Sequence, residues 1–221
     1  HMFSLKGELV RPKYFLAAYW VSLCILTALC FVSSKADIHL TSNQWIGNPP
    51  VDQFFKMITL AGDGTVAFVL VAVLAVWRPR YAIWLLASIV LSTLLLWLFK
   101  YGFFSSNLRP CAWFSKECTS LKLVPGVKVH SLNSFPSGHA TTVFGYCSLL
   151  AVMFTGNGIR LALLLFAWLV AYSRVHLSLH FLEDILAGSF LGVLSTLLCV
   201  HFLKIKDYRA PFQRFKNHSG N

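Results

Sequence analysis

Six apolar stretches dominate this chain, at about residues 14–33, 57–77, 81–99, 140–154, 159–173 and 185–203. A helix needs ~20 apolar residues to cross a bilayer. Backbone polar groups in lipid must be satisfied within the segment, so runs of this kind restrict the fold to membrane helices. Composition agrees. The chain is 57% hydrophobic and 12% charged, with mean hydropathy +0.65, too few charges to clothe a water-soluble domain of 221 residues. The fourth and fifth stretches are short, and polar flanks such as His139 and Arg174 complete them. The second carries Gly62-Asp63-Gly64, a break in its apolar run. The expected architecture is all-α: a polytopic bundle of six transmembrane helices in a single domain, residues 1–221. Residues 204–221 form a basic cytoplasmic tail, and His1-Met2 reads as a tag remnant. Ser34-Lys35-Ala36 resembles a signal-cleavage site. The apolar run before it is longer than the roughly 7–15 residues of a signal core, so a retained anchor is expected.

The formal net charge of +11 invites a nucleic-acid reading, but position argues against it. Lys6, Arg11 and Lys13 precede the first span. Arg78 and Arg80 lie between the second and third, Arg160 between the fourth and fifth, and Lys204, Lys206, Arg209, Arg214 and Lys216 after the sixth. If six helices alternate, all these lie on one side, which is then cytoplasmic, with both termini. A tail of this kind meets anionic lipid head groups rather than nucleic acid. Cys24, Cys30, Cys147 and Cys199 fall inside spans as small apolar fillers. Cys111 and Cys118 share the long outer loop, where an oxidising compartment permits a disulfide; two free thiols are the alternative.

Alternation also puts three polar clusters on the outer side: Lys100 with Arg109-Pro110, Pro136-Ser137-Gly138-His139, and Ser173-Arg174 followed by His180 and Asp184. Charges beside membrane segments are costly, so their grouping demands an explanation. On a helix, residues four apart share a face, so Asp184 can reach His180. A carboxylate on one ring nitrogen fixes the tautomer and frees the other nitrogen's lone pair for attack on phosphorus. A helix-start Asp beside an interfacial His is the plainer alternative. Ser137 can cap the fourth span, whose unpaired N–H groups suit phosphate oxygens, and Gly138 allows close approach. His139 beside the bound group can protonate a leaving alkoxide. Arg109 and Arg174 offer forks matched to phosphate and Lys100 a point charge. Taken singly, each reads equally as an interfacial anchor; together they describe a phosphoryl-transfer site. Asp63 either lines the mouth of that site or marks a solvated break. His176, His180 and Asp184 recur at four-residue spacing, a stripe a metal can use, but three nearby cations disfavour a divalent ion and no metal is assigned.

The clusters resemble the three-part signature of the type 2 phosphatidic acid phosphatase family: Lys-x6-Arg-Pro, Pro-Ser-Gly-His and Ser-Arg-x5-His-x3-Asp. The second and third parts match in full. In the first, eight residues instead of six separate Lys100 from Arg109. The likeness covers residues 100–188. It implies His180 as nucleophile, Asp184 as its orienting partner and His139 as leaving-group acid, with Lys100, Arg109, Ser137, Gly138 and Arg174 binding the phosphoryl group. It further implies a phosphohistidine intermediate and no metal or other cofactor. The expected activity is dephosphorylation of a membrane lipid phosphate at the periplasmic face of a bacterial inner membrane. Phosphatidylglycerophosphate, phosphatidate, undecaprenyl diphosphate and lipid A phosphate all remain open as substrates. Rival readings are a phosphotransferase, a haloperoxidase using the same signature, a metal-dependent membrane hydrolase, and a non-enzymatic lipid-binding transporter or scaffold.

Overall fold

The computed structural model describes residues 12–115 and 121–203. Its helices are α1 (Lys13–Val32), α2 (Lys35–Asn43), α3 (Pro49–Ile58), α4 (Gly64–Trp77), α5 (Pro79–Trp97), α6 (Pro110–Phe114), α7 (Gly138–Met153), α8 (Asn157–His176) and α9 (Leu182–Phe202). No β-strand occurs among the described residues. Proline opens α3, α5 and α6, where its missing N–H costs nothing.

Four helices are long and apolar enough to cross a membrane: α1, α5 with its extension to Phe103, α8 and α9. The second expected span is broken. A 3-10 turn, Thr59–Gly62, follows α3, and α4 leaves at 52° to it. Asp63 makes the break by capping α4, its Oδ1 accepting from Thr65 N and Thr65 Oγ1, both at 3.0 Å. Counted as one span, the bent pair raises the total to five. The expected fourth span is α7, with 16 residues. At 1.5 Å per residue that is about 24 Å, short of the ~30 Å hydrocarbon core. Large apolar side chains on the outer faces of α1, α4, α5 and α8, such as Phe31, Val69, Leu94 and Leu165, are exposed. A water-soluble surface does not sustain so broad an apolar belt; lipid does. The chain is an integral membrane protein.

The most extensive helix pairing is α7 against α9. Gly188 and Gly192, four apart on α9, make it possible: a methyl group on Gly188 would strike the Ser137 carbonyl, and one on Gly192 the Thr141 carbonyl. Small residues at this spacing let membrane helices approach backbone to backbone. Ser137 N then donates to Asp184 O at 2.9 Å, joining the start of α7 to the start of α9. Deeper in the bundle, Ser88 Oγ meets Thr196 Oγ1 at 2.7 Å, and Thr196 donates to Gly145 O at 3.0 Å. Phe144 packs on Tyr19 and Trp168, with ring centroids 5.6 and 4.7 Å apart. A second, smaller core of Ile46, Val124, Leu177 and Leu179 seats the outer loop over the end of α8.

Candidate active site

His180 lies in the turn between α8 and α9, not on α9 itself. Its Nδ1 is 3.3 Å from Asp184 Oδ2. The expectation that one helical face carries both residues needs correction. The helix begins at Leu182, and Asp184, in its first turn, reaches back to accept from Phe181 N at 2.8 Å. That capping contact, rather than four-residue helical spacing, turns the carboxylate toward the ring. A third donor reaches the same oxygen, Ser134 Oγ at 2.5 Å. His180 and Asp184 are 2% and 1% exposed, so a carboxylate with this many donors is well held. Burial pushes the His180 pKa down to about 4; Asp184 opposes that shift, while Arg109 and Arg174 reinforce it. The ring is therefore neutral at pH 7.

The cations converge on this pair from three elements. Arg174, near the end of α8, is buried, and its Nη1 donates to Thr59 Oγ1 at 2.9 Å. Its Nε is buried with no hydrogen-bond partner. Arg109 donates from Nε to Leu132 O at 3.0 Å and from Nη1 to Leu179 O at 3.2 Å. Lys100 Nζ donates to Asn133 O at 2.9 Å. The eight-residue spacing is thus absorbed: residues Leu98–Phe103 wind as a wide π-helical turn, and both cations land on the 132–133 stretch of the outer loop. Asn133, at φ +58°, reverses that stretch.

Ser137 occupies the N-cap of α7, but its hydroxyl makes no capping bond; it is buried and without a partner. The side-chain capping expected of Ser137 is therefore not made; its carbonyl opens the helix in the usual way, accepting from Thr141 N at 3.1 Å and Thr141 Oγ1 at 2.9 Å. Gly138 opens α7 and His139 follows it. His139 is within electrostatic range of Arg174, His180 and Asp63, and packs directly against Gly62. The residues expected to form one site thus lie at one end of the bundle. Asp63 answers both of its readings: exposed at the break, it also lines a cavity of about 450 Å³ between α4, α5 and α7, together with Gly138 and His139.

The metal stripe does not form. The α8 helix ends at His176, which is turned away to Asp52 at 2.8 Å, so His176 and His180 share no helical face. Among the described residues no group of three or more His, Cys, Asp or Glu side chains is placed to hold a metal ion. Cys111 is disulfide-bonded; Cys118, its expected partner, lies outside the described residues, as does the basic tail beyond Leu203. Sequence reasoning missed Ser134 and Thr59, which touch Asp184 and Arg174 from 50 and 115 residues away. No local spacing signals either.

The model of the PAP2 superfamily matches residues 81–207, more than half of the chain. No curated protein sequence matches it. Among solved structures, Aquifex aeolicus LpxE superposes with a TM-score of 0.66 at 25% identity, over 76% of this chain and 94% of that one. A transmembrane PAP2-type phosphatidylglycerolphosphate phosphatase from Bacillus subtilis superposes with a TM-score of 0.62 at 23% identity, over 89% and 100%. With its signature residues gathered at one end of a membrane bundle and the family match running through them, the chain belongs to the PAP2 superfamily.

Proposed function

We propose that this protein hydrolyses the phosphate ester of a membrane lipid through a phosphohistidine. The observation that carries the reading is the buried His180–Asp184 pair, set among Arg109, Arg174 and Lys100 at the end of the membrane bundle. Asp184 accepts from Nδ1–H and leaves the Nε2 lone pair free. Nε2 attacks phosphorus, the N–P bond forms and the P–O bond to the lipid breaks. His139 gives its proton to the departing alkoxide. The cations hold the equatorial oxygens, where charge must be stabilised, and the unpartnered Arg174 Nε and Ser137 Oγ are donors free to join them. Water, deprotonated by His139, then attacks phosphorus, breaks the N–P bond and releases phosphate.

A lipid substrate is supported by the cavity beside His139. Asp63 lines it together with apolar Ala67, Phe68, Leu85, Ile89 and Leu96, and with hydroxyls such as Ser88 and Thr142; the apolar part of that lining suits an acyl or prenyl chain. The Bacillus subtilis neighbour, a phosphatidylglycerolphosphate phosphatase by name, agrees with that class. The proposed topology has six spans, α3–α4 counting as one and α7 lengthened by its flanks. The basic residues then face the cytoplasm, and the site faces the periplasm of a bacterial inner membrane. The test is phosphate release in detergent, with chelator present, from phosphatidylglycerophosphate, phosphatidate, undecaprenyl diphosphate and lipid A phosphate. Release from at least one lipid, abolished by His180→Ala, is expected; equal release from the variant rejects the reading.

A further inference from the structure

We propose that His39 and Asn43, on the short helix α2, are positioning residues for this reaction: they clamp the Ser178 hydroxyl and through it hold the turn that presents His180. The proposal rests on the function read above. His39 and Asn43 lie outside both the signature and the stretch matched by the family model; Ser178 lies within both.

Helix α2 buries an unexpected face. Its two buried side chains are His39 and Asn43, four apart, at 1% and 7% exposure, while Leu40 is turned outward. Burying polar side chains is unfavourable unless they are bonded, so an inward polar face needs something to hold. Both reach one atom. His39 Nε2 lies 3.3 Å from Ser178 Oγ, and Asn43 Nδ2 donates to the same oxygen at 3.4 Å. A hydroxyl can accept from the amide and donate to the ring at once.

Ser178 is the residue in this turn that needs holding. Its φ of +53° is a left-handed conformation that a residue with a Cβ adopts at a cost. Immediately after it, Leu179 N and His180 N both donate to Arg174 O, at 2.9 and 3.1 Å, folding the chain back over the end of α8. The reversal at Ser178 therefore sets where the His180 ring meets Asp184. Asn43 also ties the clamp to the outer loop, donating to Lys122 O at 2.8 Å and accepting from Lys122 N at 3.0 Å. The His39 ring is wedged against Phe181 and Phe114, with centroids 5.3 and 5.8 Å away, and its Nδ1 is buried without a partner. The ring is thus committed through Nε2. Burial pushes the His39 pKa down to about 4, against the pull of Asp184, so at pH 7 the clamp is a hydrogen bond and not an ion pair.

The experiment uses the full chain in detergent micelles containing phosphatidate. It pairs phosphate-release kinetics with hydrogen exchange of the backbone amides across residues 177–181. His39→Ala and Asn43→Ala are each expected to lower kcat by about tenfold or more with KM changed less than about twofold. Exchange at Leu179 and His180 should quicken in both. Because all three side chains serve one contact, His39→Ala should add nothing to Ser178→Ala in the double variant. His39→Gln, whose amide oxygen can accept from the hydroxyl as the ring nitrogen does, should recover much of the rate. Losses that multiply in the double variant, or unchanged kcat and exchange in folded His39→Ala, overturn the proposal. Should His39→Ala fail to fold, His39→Leu, which fills the place of the ring against Phe181 and Phe114 but has no nitrogen, replaces it in the same cycle and is judged in the same way. A wild type that releases phosphate from none of the four lipids named above rejects the functional reading instead, while the exchange data still judge the clamp.

Discussion

Ser134, in the outer loop, donates its hydroxyl to the same Asp184 oxygen that faces His180 Nδ1. An ionised carboxylate only accepts, so this arrangement leaves Nδ1 as the donor and Nε2 as the free lone pair. Asp184→Asn should lower kcat by on the order of 10³–10⁴-fold, because the amide no longer enforces that tautomer. Ser134→Ala should lower it by about 10–100-fold, the worth of one hydrogen bond to a charged group. Steady-state phosphate release measures both. A Ser134→Ala enzyme at full rate would show that Phe181 N alone orients the carboxylate.

The His180 ring, pushed down to about 4 by burial, should set the acid limb of the rate profile. The sign follows from the direction of the shift. An ordinary histidine would be largely charged and non-nucleophilic below pH 6.5, whereas this one stays neutral until pH falls through about 4. The loss of log kcat/KM that comes from charging this ring should therefore appear only as pH falls through about 4, with a slope of about one per pH unit. An acid limb already complete at pH 6 would mean that the ring is not buried in this way.

Gly62 packs against His139 with no room for a side chain. A methyl group there would sit 2.9 Å from His139 Cβ and 3.1 Å from Val170 Cγ1. Gly62→Ala should displace the imidazole and lower kcat by on the order of 10²-fold. Gly158→Ala, where an added methyl meets nothing within 4 Å, should leave the rate at wild type.

Thr59 is the acceptor for Arg174 Nη1. Thr59→Val keeps the shape and removes the acceptor, so the guanidinium loses one of its supports. Vanadate, a five-coordinate phosphorus mimic, should inhibit this variant about tenfold less strongly. Unchanged inhibition would place the orienting contact elsewhere.

What the sequence revealed and what it hid divide along separation in the chain. The His180–Asp184 pair and the helix start at Gly138 are local, and four residues of spacing sufficed to find them. Even there the physical route was different: the pair meets through a capping contact, since His180 precedes the helix. The bend at Asp63 was legible as two glycines around a carboxylate in an apolar run. Ser134, Thr59, His39 and Asn43 were not legible, because each acts on a partner 50 to 139 residues away through tertiary contact alone. The shortness of α7 was legible too: an apolar stretch of 15 residues became a helix of 16, and its burial against α8 and α9 is what the sequence could not show.

In the proposed reaction the His180 imidazole carries the phosphoryl group between the two displacements. The most direct measurement is rapid alkaline quenching of the enzyme during turnover of ³²P-labelled phosphatidate, followed by mapping of the labelled peptide. Acid-labile, alkali-stable label is expected on His180, present in wild type and absent in His180→Ala. Label on another residue, or none in an enzyme that turns over at full rate, would contradict it.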